Sequence, residues 1–143
     1  MEISFFVPGE PTALKRHRMF RRGKFLGSYD PSKGDKADFL AKAMQYRSDK
    51  PFEGAISLMC SFYFSRPKSH YKGGKYCDIL KSGAGKWKVS RPDLDNLEKF
   101  ILDSLNGVYF KDDRQVVSMA SQKQYCDTEH PAPGAQITIE EIF

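Results

Sequence analysis

Apolar and polar positions alternate from the start of the chain. Ile3, Phe5 and Val7 share one side of an extended segment that Pro8-Gly9 ends, so residues 2 to 7 predict a strand. The stretch KRHRMFRRGKFLGSYDPSKGD that follows has scattered Gly, Pro and Ser and no sustained period. It reads as a long loop, a kind of segment uncommon in compact domains unless it binds something. Helical spacing comes next, with Phe39, Leu40, Ala43 and Met44 on one face of a helix over residues 35 to 48. In AISLMCSFYFS, Ile56, Leu58, Cys60, Phe62 and Phe64 alternate, which is the clearest strand pattern in the chain. Residues 66 to 90 form a second irregular segment rich in Gly, Lys and Ser, for which mobility is expected unless a ligand orders it.

A further helix, beginning near Asp95, carries Leu97, Phe100, Ile101 and Leu105 on one face and stops at Asn106-Gly107. QVVSMASQKQ and QITIEEIF read as two more strands, separated by the turn HPAPG. The order β-α-β-α-β-β predicts an α+β fold, a small mixed sheet of about four strands with both helices packed on one face. A chain of 143 residues fits one core, so residues 1–143 are read as a single domain with basic loops near 11–34 and 66–91.

Charge changes this picture. The formal net charge is +5, and fourteen of the twenty-three basic residues fall in the two irregular segments. The first holds Lys15, Arg16, Arg18, Arg21, Arg22 and Lys24 with no acid between Pro11 and Tyr29. The second holds Arg66, Lys68, Lys72, Lys75, Lys81, Lys86, Lys88 and Arg91 against one acid, Asp78. Solvated charge is the bland account of either run alone. Two such runs interleaved with His17, Phe20, Phe25, Tyr71, Tyr76 and Trp87 point to phosphate contact with base or sugar stacking. Lys15, Arg16, Arg18, Arg21, Arg22, Lys68, Lys86, Lys88 and Arg91 are the candidate DNA contacts. No apolar run is long enough to cross a membrane, and MEISFFVPGE has the wrong shape for a signal peptide. Cys60, Cys77 and Cys126 form no CxxC pair, so neither a disulfide framework nor a zinc site is expected, and a cytoplasmic location fits.

The acids gather elsewhere, in RPDLDNLEKFILDSLNG and FKDDRQVV. DNLE matches a capping box in which Asp95 caps the helix and Glu98 reaches back. That account leaves Asp93 without a task. Two carboxylates at i and i+2 in extended chain point the same way, and a divalent ion relieves their repulsion with the oxygen ligands that Mg²⁺ prefers. Lys99 shares a polar stripe with Asp95 and Asp103, either as two surface ion pairs or as a cation beside a metal-bound phosphate. KDDR alone reads as a polar turn; one of Asp112 and Asp113 completes a three-carboxylate cluster if the chain returns near the helix start. His17, His70 and His130 show no ligand spacing, and neither GxGxxG nor a P-loop occurs, so no nucleotide cofactor is expected.

D-L-D-N-L-x-K-x-x-x-D-x-L-N-G followed by D-D-x-Q-V-V resembles the RusA family of Holliday-junction resolvases, small endodeoxyribonucleases often carried by prophages. PGEPTALKRHR with YDPSK resembles that family's basic N-terminal segment, and RPKSHY and the lysine of QKQY (Lys123) recur in its phage and Gram-positive members. The resemblance covers essentially the whole chain; the long 66–90 segment departs from the shortest members. It implies metal-binding carboxylates at Asp93, Asp95 and Asp113, a catalytic lysine at Lys99, and secondary positions at Asp112, Asp103 and Lys123. It also implies Mg²⁺, with Mn²⁺ as substitute, and a homodimer that nicks opposing strands of a four-way junction in recombination and repair. Two other functions stay open on the residues alone: a non-catalytic basic DNA-binding module, and a Mg²⁺-dependent nuclease acting on other branched or single-stranded DNA.

Overall fold

The computed structural model describes residues 1–142. β1 (Glu2–Pro8), β4 (Ala55–Phe64), β5 (Val116–Tyr125) and β6 (Gly134–Ile142) form one sheet in the order β1-β6-β4-β5. Only the β4–β5 pair is parallel; β6 runs antiparallel to both β1 and β4. Between them, β2 (Arg18–Arg22) and β3 (Phe25–Tyr29) make a separate two-stranded ribbon, and α1 (Lys33–Ala43) and α2 (Leu94–Leu105) complete the chain.

The alternation read in β4 decides which face is covered. Ile56, Leu58, Cys60, Phe62 and Phe64 are buried, joined by Phe5 and Val7 from β1 and Ile137 and Ile139 from β6. Against them lie Leu97, Phe100, Ile101 and Leu105, the face that the helical period of α2 predicts. α1 packs on α2 through an edge-to-face pair, Phe39 with Phe100, at 5.7 Å. The opposite face of the sheet is polar: Ser4 and Thr138 share a hydrogen bond, and the Gln122 amide donates to Ser61 Oγ. One covered face and one wet face is the usual state of a mostly antiparallel sheet.

Three expectations need correction. The stretch read as a loop over 11–34 contains the β2–β3 ribbon; its strands are five residues long and almost wholly exposed, so neither shows the alternation that burial of one face imposes. α1 ends at Ala43 and tightens into a 3-10 turn over Met44–Tyr46, short of residue 48. The 66–90 segment is tied into the fold: Arg66 donates to the carbonyls of Cys126 and Gly85 and lies over the Tyr125 ring, and Trp87 bridges to Gln124 at the edge of β5.

The β4–α2–β5 crossover sets the geometry of the site. α2 begins beside the C-terminal end of β5 and ends where Phe110 pairs with Phe52, just ahead of β4. Gly107, at φ +81°, makes the turn that ends the helix.

Candidate active site and nucleic-acid interface

α2 starts earlier than its apolar period suggests, at Leu94, which makes Asp93 the N-cap residue and moves Asp95 into the first turn. The capping box read from DNLE is absent: Asp93 has cap backbone angles (φ −70°, ψ 142°), and its side chain accepts no capping hydrogen bond. Its carbonyl takes the Leu97 N–H instead. Both carboxylates are exposed at the positive end of the helix, where the aligned peptide dipoles favour negative charge. The capping box of this chain lies at Asp112, whose carboxylate accepts from the Arg114 N–H at 2.8 Å while Gln115 Oε1 accepts from the Asp112 N–H. The Arg114 N–H, followed by its guanidinium, holds the Asp112 carboxyl below the ordinary aspartate range. Asp112 is thus committed to its own turn, and Asp113 carries none of that load.

The segment that delivers Asp93 is fixed from β5. Lys123 Nζ donates to the carbonyls of Ser90 (2.8 Å) and Pro92 (2.7 Å), and the Arg91–Pro92 peptide is cis. Lys123, which the sequence offers as a secondary candidate, holds the backbone that leads into Asp93. Lys99 lies 3.7 Å from Asp95, with both side chains more than half exposed. The second ion pair expected of Lys99 is not made: Asp103 faces Lys36 on α1 at 3.7 Å. Lys36 also pairs with Asp30 at 2.5 Å, and together with the Ser32 N–H it holds the Asp30 carboxyl below its ordinary range, while Asp30 pushes Lys36 up.

Sequence reasoning missed the element that ties the basic ribbon to this site. Ser32, fully buried, accepts the Lys15 N–H at 2.8 Å and donates its own N–H to Asp30, which closes the ribbon at its root. One residue earlier, the Leu14 N–H donates to the Asn96 carbonyl, next to Asp95 in the first turn of α2. Nothing in an isolated DPS tripeptide signals this, because the partner lies seventeen residues away. Lys15, Arg16, Arg18, Arg21 and Arg22 are all exposed, and among the described residues none of them is paired with a carboxylate. In the second segment Lys68, Lys86 and Arg91 are exposed, with Lys86 over the Trp87 ring at 4.8 Å. Lys88 is half-buried and spent within the chain, its ammonium over the rings of Phe64 and Tyr125 and donating to Ser90 Oγ.

Asp113 is not brought to Asp93 and Asp95 within one chain. It sits at the N-terminal end of β5, whereas Lys123, which grips Pro92, is ten residues further along. α2, which starts at Asp93's side and ends before the turn leading to Asp113, itself spans roughly 18 Å. Among the described residues no three His, Cys, Asp or Glu side chains converge as a metal site. The donor chemistry nevertheless fits a hard divalent cation: Asp93 and Asp95 offer exposed carboxylate oxygens that capping does not consume, and Mg²⁺ is commonly held by one or two carboxylates together with substrate phosphate.

The family model described as "Endodeoxyribonuclease RusA" matches residues 8–140, a span that takes in the ribbon, α2 and the turn at Asp113. The chain is 31% identical over 142 residues to "Uncharacterized protein YqaN" of Bacillus subtilis (strain 168), covering 98% of this chain and 96% of that one. It is 28% identical over 123 residues to "Crossover junction endodeoxyribonuclease rusA" of Lactococcus phage r1t, covering 85% of this chain and 86% of the phage protein. Among the described residues no helix is long and apolar enough to cross a membrane.

Proposed function

The chain belongs to the RusA family of endodeoxyribonucleases, and from that premise we propose that it hydrolyses phosphodiester bonds at four-way DNA junctions with a divalent metal, Mg²⁺ or Mn²⁺. The observation that carries this reading is the start of α2. Asp93 at the N-cap and Asp95 in the first turn, neither side chain making a capping bond, stand at the root of an unneutralised basic ribbon, with Lys99 3.7 Å from Asp95. A DNA-binding module that used its acids as caps would show those caps, and Asp93 and Asp95 form none.

Asp93 and Asp95 would hold the metal, which when bound supplies a Lewis acid for the scissile phosphate and a water of lowered pKa. Lys99 would place its ammonium on a phosphate oxygen and balance the charge that grows there during displacement. Lys123 would keep Asp93 aimed by fixing the two carbonyls on either side of Arg91. The separation of Asp113 from the other acids gives it a place in this site only across a dimer, with Asp113 of one chain meeting Asp93 and Asp95 of the other. A two-fold dimer of that kind presents two equivalent sites to a substrate that itself has pseudo-two-fold symmetry. The exposed cations of the ribbon and of the 66–91 segment would grip the junction arms by phosphate, so binding falls steeply with salt.

Asp93→Asn and Asp95→Asn should each abolish cleavage of a synthetic four-way junction in Mg²⁺ while junction binding is kept or tightened. Near-normal cutting by both variants would refute the site.

A further inference from the structure

The β2–β3 ribbon presents two unlike faces. Cross-strand pairing puts Arg18 with Tyr29, Phe20 with Gly27 and Arg22 with Phe25 on one side, and Met19 with Ser28 and Arg21 with Leu26 on the other. On the first face Phe20 lies across Gly27 so closely that a Cβ at 27 would come 2.6 Å from its ring. Phe25 and Tyr29 flank Phe20 at centroid distances of 6.2 and 6.3 Å, and the Arg22 guanidinium sits over the Phe20 ring at 5.6 Å. A cluster built only to hold the ribbon together would bury its rings, since a lone two-stranded hairpin is marginal without them. Here Phe25 is 63% exposed and Tyr29 47%, so each keeps an open ring face framed by cations.

The ribbon is also placed. Its root is locked by Ser32 and bonded through Leu14 to the first turn of α2, next to Asp95. Paired duplex arms hide their base faces, whereas the strand-exchange point of branched DNA exposes them. Resting on the junction-nuclease reading above, we propose that the Phe20–Phe25–Tyr29 face stacks on nucleobases laid open at the branch point. Arg18 and Arg22 take the flanking phosphates, and this contact sets the preference for branched over linear DNA. Aromatic rings suit this task because every base has a stacking face, so the contact selects unpaired geometry without selecting sequence.

The test is binding without metal, in EDTA, of the full chain to a four-way junction and to a linear duplex of the same arm sequence. Phe25→Leu and Tyr29→Leu keep apolar contact with Phe20 while removing the ring face. Each should lower junction affinity about tenfold and duplex affinity by no more than about twofold. Phe25→Trp should retain junction affinity, which separates stacking from mere packing of the ribbon. Arg21→Gln, on the opposite face, should weaken both substrates and reduce the salt slope by about one. Equal losses on junction and duplex in the leucine variants, or no loss on either, would overturn the proposal while leaving the nuclease reading intact. A wild-type chain that binds junction no better than duplex would overturn both.

Discussion

Two inactive variants should restore each other if the acidic site is shared between subunits. One chain carries Asp93→Asn and Asp95→Asn with Asp113 intact; the other carries only Asp113→Asn. The geometry sets the expectation. Carboxylates that share an ion must approach within a few ångströms, yet α2 spans roughly 18 Å and Asp113 lies at the far end of β5 from Lys123, which holds Pro92 beside Asp93. An aspartate side chain cannot span that gap, and the helix is locked at both ends, by Lys123 at Pro92 and by the Gly107 turn onto Phe110. In a shared arrangement each mixed dimer holds one complete site and one empty of both contributions. Random exchange makes half the dimers mixed, so nicking should recover to about a quarter of the wild-type site count. The product should be singly nicked junction rather than resolved duplex, because the second strand meets a dead site. The assay is gel separation of nicked and resolved products after subunit exchange in mild denaturant, with each variant alone as baseline. No recovery above those baselines would refute the shared site. Wild-type cutting by Asp113→Asn alone would remove Asp113 from the chemistry altogether.

Lys123→Met removes two charge-assisted hydrogen bonds to Ser90 and Pro92 and should cost about 1–3 kcal/mol in urea unfolding; kcat should drop more than junction affinity, whereas a merely structural lysine would leave kcat unchanged at temperatures where the variant is folded. The clasp at the ribbon root should be pH-sensitive. The folded pKa of Asp30 lies below its ordinary 3.8, so the stability it lends is present above about that pH and is lost as pH falls through the folded value. Protection of the Lys15 and Lys36 amides, measured against their intrinsic exchange rate at each pH, should therefore fall in acid, and Asp30→Asn should flatten that dependence with Lys36, His17 and Asp103 left in place. Gly107→Ala forces an L side chain into a left-handed conformation and should cost about 1–2 kcal/mol in thermal unfolding, without loss of junction binding.

Much of the fold was legible in the sequence because the core is built from strong periods. β4 alternates cleanly and α2 keeps its apolar face, and each pattern follows from burial of one side. The ribbon escaped because it buries neither side: Met19, Phe25 and Leu26 are each more than 60% exposed, so its apolar residues do not follow the alternation that packing on the core imposes. The acids were legible as a group, but their tasks were not. DNLE and DDRQ both fit a capping pattern; the start of α2 at Leu94 leaves the first unmade, and the Asp112 and Gln115 hydrogen bonds make the second.

That exchange of roles has a physical logic. A capping carboxylate spends its lone pairs on backbone N–H groups, as Asp112 does, and a carboxylate so engaged is a poorer ligand for a hard cation. At α2 the chain places Asp93 in the capping position and leaves the cap unmade, a departure from the usual preference worth on the order of 1 kcal/mol. The helix keeps its start through other means: Lys123 holds the preceding carbonyls, the Leu14 N–H ties down Asn96, and Leu97 is fully buried. Those three contacts let the helix N-terminus offer its dipole to carboxylates that remain open. Substituting Asp93 with Asn should therefore leave thermal stability within about 0.5 kcal/mol of wild type, since no cap is lost, while cleavage disappears. A loss of stability in step with the loss of activity would show that Asp93 caps the helix in solution, and would return it to the structural role its position suggests.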